Sequence, residues 1–210
     1  MTDDFNPVAA GAIVAVIDDD PSMRGAIDNL IGSVGLVAHT FASAGEFLRW
    51  TLPDAPLCLV LDVRMPGRNG LDVQDELAAT RPDIPIVFIT AHGDIPMSVR
   101  AMKGGAIDFL TKPFRDQELL DAIHRGLELS YKRRGAQQSE GKVHAAYATL
   151  SPREREVMGM VVQGKLTKQI AAQLGLSDIT VKVCRAQMMK KMEASSLADL
   201  VRMAERLNAE

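Results

Sequence analysis

Asp18, Asp19, Asp62, Thr90 and Lys112 each stand at or just past the carboxyl end of a short apolar run. Ala12-Ile-Val-Ala-Val-Ile17 leads into Asp18-Asp19-Asp20, Leu57-Cys-Leu-Val-Leu61 into Asp62, and Ile86-Val-Phe-Ile89 into Thr90, while Ile107-Asp-Phe-Leu110 is followed by Thr111-Lys112-Pro113. Carboxylates crowded together raise one another's pKa and resist ionisation. A divalent cation relieves that conflict, and Mg2+ suits best: it is hard, prefers oxygen and is held by one or two carboxylates plus phosphate oxygens. With a hydroxyl and an ammonium alongside, the chemistry on offer is phosphoryl transfer to a carboxylate. One carboxylate attacks, the positive charges neutralise the phosphoryl oxygens, and the hydroxyl bonds one of them. Asp62, alone at its strand end, is the expected nucleophile, with Asp18 and Asp19 side by side to hold the ion.

Taken singly, each residue has a plainer explanation: a strand-end Asp is ordinarily a turn or cap residue, Thr is a strand former, and a surface Lys is usually only solvated. Four strand ends in one order make that account the weaker one. The groups converge only if the runs belong to one parallel sheet, whose carboxyl edge holds ligands where the strand order reverses. The runs are short and apolar throughout, as strands buried on both faces are. Amphipathic stretches at about 21–33, 43–51, 69–80, 95–103 and 115–132 separate them, and Leu36-Val-Ala-His-Thr-Phe41 supplies a weaker strand. The expected fold is α/β: five β/α units, doubly wound, with sheet order 2-1-3-4-5.

The charge is split between the two parts of the chain. Residues 1–130 carry 10 Lys and Arg against 19 Asp and Glu, and residues 131–210 carry 14 against 8. An acidic part joined to a basic part suggests that only the second meets a polyanion. Cys58 and Cys184 have no metal-site spacing, the amino terminus is acidic at Asp3 and Asp4, and no apolar run approaches membrane length. A cytoplasmic protein with no membrane partner and no structural metal is expected.

Four segments are expected: a tail over 1–11, the α/β domain over 12–130, a linker over 131–147, and a small all-α domain over 148–210. The linker candidate is charged, contains glycines and glutamines, and loses the apolar periodicity. Beyond it Ser151-Pro152-Arg153-Glu154 reads as a capping box with proline at the first helical position. Thr167 is expected to cap a second helix, Ser177 a third, and Ser196 with Asp199 a fourth. Gln169-Ile-Ala-Ala-Gln-Leu174-Gly175-Leu176-Ser177 has the short helix, glycine turn and new cap of a helix-turn-helix.

In the third helix Val181, Cys184, Met188 and Met192 form an inward stripe, in which the methionines fill a core. Lys182, Val183, Arg185, Ala186, Met189 and Lys190 are left on or near the outward faces. Such a helix fits the major groove, where Lys and Arg reach guanine edges or phosphates and small apolar side chains reach thymine methyls. Lys168, early in the preceding helix, adds a phosphate contact.

Val16-Ile-Asp-Asp-Asp-Pro-Ser-Met-Arg24, Leu59-Val-Leu-Asp-Val-Arg-Met-Pro-Gly67, Phe88-Ile-Thr-Ala91 and Phe109-Leu-Thr-Lys-Pro-Phe114 resemble the receiver domain of bacterial two-component response regulators. The resemblance implies that Asp62 is the phospho-acceptor, that Asp19, Asp62 and the Arg64 carbonyl bind Mg2+ with Asp18 acting largely through water, and that Thr90 and Lys112 contact the phosphoryl group. It also implies a cis Lys112-Pro113 bond, a switch pairing Thr90 with Phe109 (Tyr in many relatives), and an influence of Arg64 and His92 on phosphate lifetime. Leu150-Ser-Pro-Arg-Glu-Arg-Glu-Val157, Lys168-Gln-Ile-Ala-Ala-Gln-Leu-Gly-Leu-Ser177 and Thr180-Val-Lys-Val-Cys-Arg-Ala186 resemble the LuxR-type helix-turn-helix, with Cys184 where the family usually has histidine. That resemblance adds Thr180 to the expected DNA contacts.

The whole chain is thus similar to regulators of the NarL/FixJ family. The expected function is transcription control: a sensor histidine kinase phosphorylates Asp62, the helix near 95–103 with the strand near 106–110 forms a homodimer surface, and the basic domain binds promoter DNA. The helix at about 196–207 is expected to add to the dimer contact. No metabolic enzyme is expected. Asp18-Asp-Asp20-Pro-Ser22 loosely resembles the nucleophile motif of haloacid-dehalogenase phosphatases, but that reading leaves Asp62 idle and the basic domain unexplained.

Overall fold

The structure, a computed structural model, describes residues 11–207. The tail expected over 1–11 therefore lies, but for Gly11, outside the described residues. The described residues divide into two compact units, one ending at Arg134 and one beginning at Gly135.

In the first unit, β1 (Ile13–Ile17), β2 (Val37–Phe41), β3 (Leu57–Asp62), β6 (Ile86–Thr90) and β7 (Asp108–Thr111) form a parallel sheet in the order β2-β1-β3-β6-β7. A small antiparallel hairpin, β4 (Arg64–Met65) with β5 (Arg68–Asn69), lies outside it. Without the hairpin the order is the expected 2-1-3-4-5. The hairpin itself was not expected; Pro66-Gly67, with Gly67 at φ +78°, is its turn, a pairing typical of a type II turn.

Helix α1 (Pro21–Ser33) starts where the Asp20 side chain accepts from the Ser22 N–H and Pro21 supplies a preset φ. The helices α2 (Ala44–Arg49), α3 (Gly70–Thr80) and α4 (Ile95–Lys103) follow, capped by Ser43, Asn69 and Asp94. Alternate strand residues face opposite sides of the sheet. Ile17, Leu57, Leu59, Leu61 and Phe88 pack with Phe47, Leu71, Leu77 and Ala101 of α2 to α4. On the other face Val14, Val16, Cys58, Val60, Val87 and Ile89 pack with Ile27 and Ile31 of α1 and with Leu119, Ile123 and Leu127.

Those last three residues belong to α5 (Asp116–Ala148), a helix of 33 residues. Two details fix it to β3. A Cβ at Gly126 would lie 2.5 Å from Cys58 Sγ, so only glycine admits this approach, and the buried Ser130 Oγ accepts from the Leu57 N–H at 3.0 Å. Burial pushes the Cys58 thiol up to about 12. The residues read as a linker, 131–147, are helical. Gly135 and Gly141 each weaken a helix by roughly 1 kcal/mol, but the segment has no proline and carries the helix formers Lys, Arg, Gln and Ala at more than half of its positions. Val143 is buried in the core of the second unit.

In that unit α6 (Pro152–Val162), α7 (Thr167–Leu174), α8 (Asp178–Lys191) and α9 (Leu197–Leu207) surround Leu150, Val157, Met158, Val161, Ile170, Val181, Met188, Met192 and Leu200. Cys184 is half-buried beside them. Ser177 caps α8 as expected, accepting from the Thr180 N–H at 3.1 Å, and Ser196 accepts from the Asp199 N–H at 3.1 Å. Thr167 does not cap α7. It is the first helical residue, Leu166 holds the cap position, and Gln169 compensates by accepting from the Leu166 N–H at 2.8 Å.

The capping box of α6 is complete and also ties down α8. Glu154 Oε2 accepts from the Ser151 N–H at 2.7 Å and from Lys191 Nζ at 2.6 Å. The Lys191 ammonium, then the Ser151 N–H, hold the Glu154 carboxyl at about 2. A group depressed in this way adds stability above its unfolded value near 4.5, lost as pH falls toward about 2. Glu154→Gln should therefore destabilise the helical unit by about 1–2 kcal/mol at pH 7. Hydrogen exchange of α6 and α8 amides at falling pH should show the difference from the parent shrink between pH 4.5 and 2.

Candidate functional site

The carboxyl ends of β1, β3, β6 and β7 form one edge. Register does this directly: Ile17 pairs with Leu61, Asp62 with Ile89, and Thr90 with Thr111, so Asp18, Asp62, Thr90 and Lys112 all emerge there. Lys112 Nζ lies 2.6 Å from Asp18 Oδ2 and 2.7 Å from Asp62 Oδ2, bridging β1 and β3. One carboxylate oxygen each of Asp18, Asp19 and Asp62 falls within 4.8 Å of the others. Asp18, Asp62 and Thr90 are buried, whereas Asp19 is exposed.

The backbone holds these groups in place. Asp18 Oδ1 accepts from the Asp20 N–H at 2.9 Å, and Asp62 Oδ1 from the Arg64 N–H at 3.0 Å. Thr90 Oγ1 accepts from the His92 N–H at 3.2 Å, while the Lys112 N–H donates to the Thr90 carbonyl at 2.7 Å. The Lys112-Pro113 bond is cis. Phe109, half-buried, lies 6.2 Å from Phe88 between ring centroids.

Burial raises the Asp18 pKa, and hydrogen bonding to Lys112 only partly opposes it. Burial also works against the Lys112 ammonium, yet its bonds to Asp18 and Asp62 carry its pKa above the usual 10.5. The two shifts are consistent because the partners are unequal: Lys112 has two carboxylates, whereas Asp18 has one ammonium and a neighbouring Asp62 that repels it. A cluster of three carboxylates with one lysine is short of positive charge. Its oxygen donors and that deficit fit a hard divalent cation such as Mg2+.

Three residues near the site did not stand out in the sequence. Arg24 Nη1 donates to the Asp18 carbonyl at 2.7 Å. At Gly70 a Cβ would sit 2.4 Å from the Asp62 carbonyl oxygen, and at Gly93 a Cβ would lie 2.9 Å from both Phe109 Cε1 and Thr111 Cγ2. The glycines were legible only as glycines close to strand ends, and Arg24 only as a cation one turn into α1.

In the second unit α8 presents Lys182, Val183, Ala186 and Lys190 to solvent, and Lys168 of α7 is exposed. Arg185 is half-buried rather than fully outward. The Thr180 hydroxyl is engaged with Ser177 Oγ at 2.8 Å. Gly175, at φ +65°, makes the turn between α7 and α8.

The two units match two family models: the response regulator receiver domain over residues 14–124 and the bacterial regulatory proteins of the luxR family over 148–204. The chain belongs to the response regulators with a LuxR-type DNA-binding domain. It is 59% identical over 196 residues to nodulation protein W of Bradyrhizobium diazoefficiens, covering 93% of this chain and 86% of that protein. The transcriptional regulatory protein FixJ of Azorhizobium caulinodans is 43% identical over 91% of this chain and 90% of its own. Among solved structures, the response regulator StyR has a TM-score of 0.86 at 47% identity, covering 93% of this chain and 99% of that one. Full-length FixJ from B. japonicum has a TM-score of 0.54 at 39% identity, over 94% and 98%. This response regulator is a transcription factor, not a metabolic enzyme, and no helix among the described residues is long and apolar enough to cross a membrane.

A raised carboxyl pKa favours the fold while protonated and opposes it once ionised. The receiver unit without Mg2+ should therefore lose stability as pH rises from 3.8 through the folded value of Asp18. Asp18→Asn removes that cost. Its melting temperature at pH 7 should exceed the parent's by a few degrees without Mg2+, and added Mg2+ should stabilise the parent more than the variant.

Proposed function

We propose that this response regulator is switched by phosphorylation of Asp62 from a sensor histidine kinase in the cytoplasm and binds promoter DNA as a homodimer. The observation carrying this reading is the Lys112 bridge: one ammonium at 2.6 and 2.7 Å from two carboxylates, at the edge that also holds Thr90. In the transfer, a carboxylate oxygen of Asp62 forms a bond to phosphorus as the bond from phosphorus to the kinase histidine nitrogen breaks. Lys112, already beside Asp62, balances charge on the phosphoryl oxygens, and the Thr90 hydroxyl donates to one of them. Asp18, Asp19, Asp62 and the Arg64 carbonyl are the groups that would hold Mg2+, which supplies further charge neutralisation when bound.

Moving the Thr90 hydroxyl toward the phosphoryl group vacates space that Phe109 can enter. Phe109 has no hydroxyl, so its part in the switch is packing alone. The α4 surface carries Ile95, Val99 and Met102, which are 80%, 45% and 48% exposed. Spaced by four and three residues, they make an apolar stripe that a second receiver can cover. Pairing the receivers raises the effective concentration of the second DNA-binding unit at a two-fold site. Lys168, Thr180, Lys182, Val183, Arg185, Ala186 and Lys190 are the proposed DNA contacts, with Arg64 and His92 modulating phosphate lifetime.

Incubation with acetyl phosphate and Mg2+ should add one phosphoryl group to the intact mass of the protein and none to Asp62→Asn. Promoter binding should tighten about tenfold or more on phosphorylation in the parent alone. Equal binding by parent and variant would instead mark a constitutive DNA-binding protein with a vestigial receiver.

A further inference from the structure

Ile179 is 74% exposed, one of the barest large apolar side chains among the described residues of the second unit. It stands one turn before Val183, itself 51% exposed, and Ala186 follows three residues later, also exposed. At 100° per residue, Ile179, Val183, Ala186 and Lys190 fall within about 60° of one another around the helix axis. The buried Val181 and Met188 lie on the opposite side, so the stripe faces directly away from the core. Lys182 flanks it, and Asp178 is the one acidic residue within Asp178–Lys191.

We infer that Ile179, together with Val183 and Ala186, reads the 5-methyl groups of thymines in the target site. This rests on the reading of α8 as the helix that enters the major groove. Of the base edges displayed there, the thymine methyl is the apolar one, while the others offer donors and acceptors that an isoleucine cannot pair. Lys182 beside the stripe and Lys190 at its carboxyl end suit neighbouring phosphates. They also argue against a second copy of this chain as the occupant, since two such faces would set lysine against lysine. Ile179 is thereby a specificity-determining residue at the start of the recognition helix, one that its polar and basic neighbours did not reveal.

The test uses the full-length protein, with and without acetyl phosphate. A high-affinity site is first selected from randomised duplex DNA, and each thymine in it is then replaced singly by uracil, which removes only the methyl group. The parent should lose roughly three- to fivefold in affinity at one or more thymines. Ile179→Ala should bind the thymine and uracil forms of one such position equally, and bind the uracil form as the parent does. Lys182→Ala, by contrast, should keep the thymine preference while lowering the salt dependence of binding.

A selected site at which no uracil replacement matters, or at which Ile179→Ala retains the full thymine preference, would overturn the inference while leaving DNA recognition by α8 intact. Failure to select any preferred sequence would overturn both. A parent that self-associates without DNA while Ile179→Ala does not would assign the stripe to a second copy and overturn it as well.

Discussion

The structure turns on a problem of like charge. Asp18 and Asp62 leave adjacent parallel strands at the same edge, both buried, and two such carboxylates repel unless something positive lies between them. Lys112 supplies it from the end of β7, at 2.6 Å and 2.7 Å. That placement requires the 2-1-3-6-7 order of the sheet, the register that sets Asp62 beside Ile89 and Thr90 beside Thr111, and helices on both faces to bury the strands. The compensation is incomplete, because burial still leaves Asp18 with a raised pKa. With Asp19 counted, three carboxylates face one ammonium, and a site two positive charges short fits a divalent cation.

The second unit solves a different problem, that of stabilising four short helices. Helices of 8 to 14 residues are marginal alone. Here caps and one buried core replace length. Glu154 serves twice, closing the capping box of α6 and pairing with Lys191 at the end of α8. With Val181, Met188 and Met192 committed inward, the phase of α8 is fixed, and its opposite face is free to carry recognition.

Much of this could be read from the residues. Short apolar runs ending in Asp, Thr or a following Lys mark both the strands and the edge they share, because runs of this length are too short for helices and are apolar on both faces, as doubly buried strands are. Ser151-Pro-Arg-Glu154 marks its helix start for an equally local reason. What escaped depended on tertiary partners. Leu166 occupies a cap position because Gln169, three residues on, compensates for it, and the 131–147 stretch is helical although its apolar periodicity fades, since Val143 finds a core. Gly70, Gly93 and Gly126 are required by atoms distant in sequence: the Asp62 carbonyl oxygen for Gly70 and Cys58 Sγ for Gly126, with Phe109 Cε1 and Thr111 Cγ2 facing Gly93. No local pattern encodes such contacts.

Asp62 is the proposed acceptor, and chemical trapping tests that role most directly. Protein treated with acetyl phosphate and Mg2+, then reduced with borohydride, should yield a peptide in which residue 62 alone has become homoserine, the product of reducing an acyl phosphate. Reduction at Asp18 or Asp19 instead, or no modified peptide despite a gain in intact mass, would contradict it.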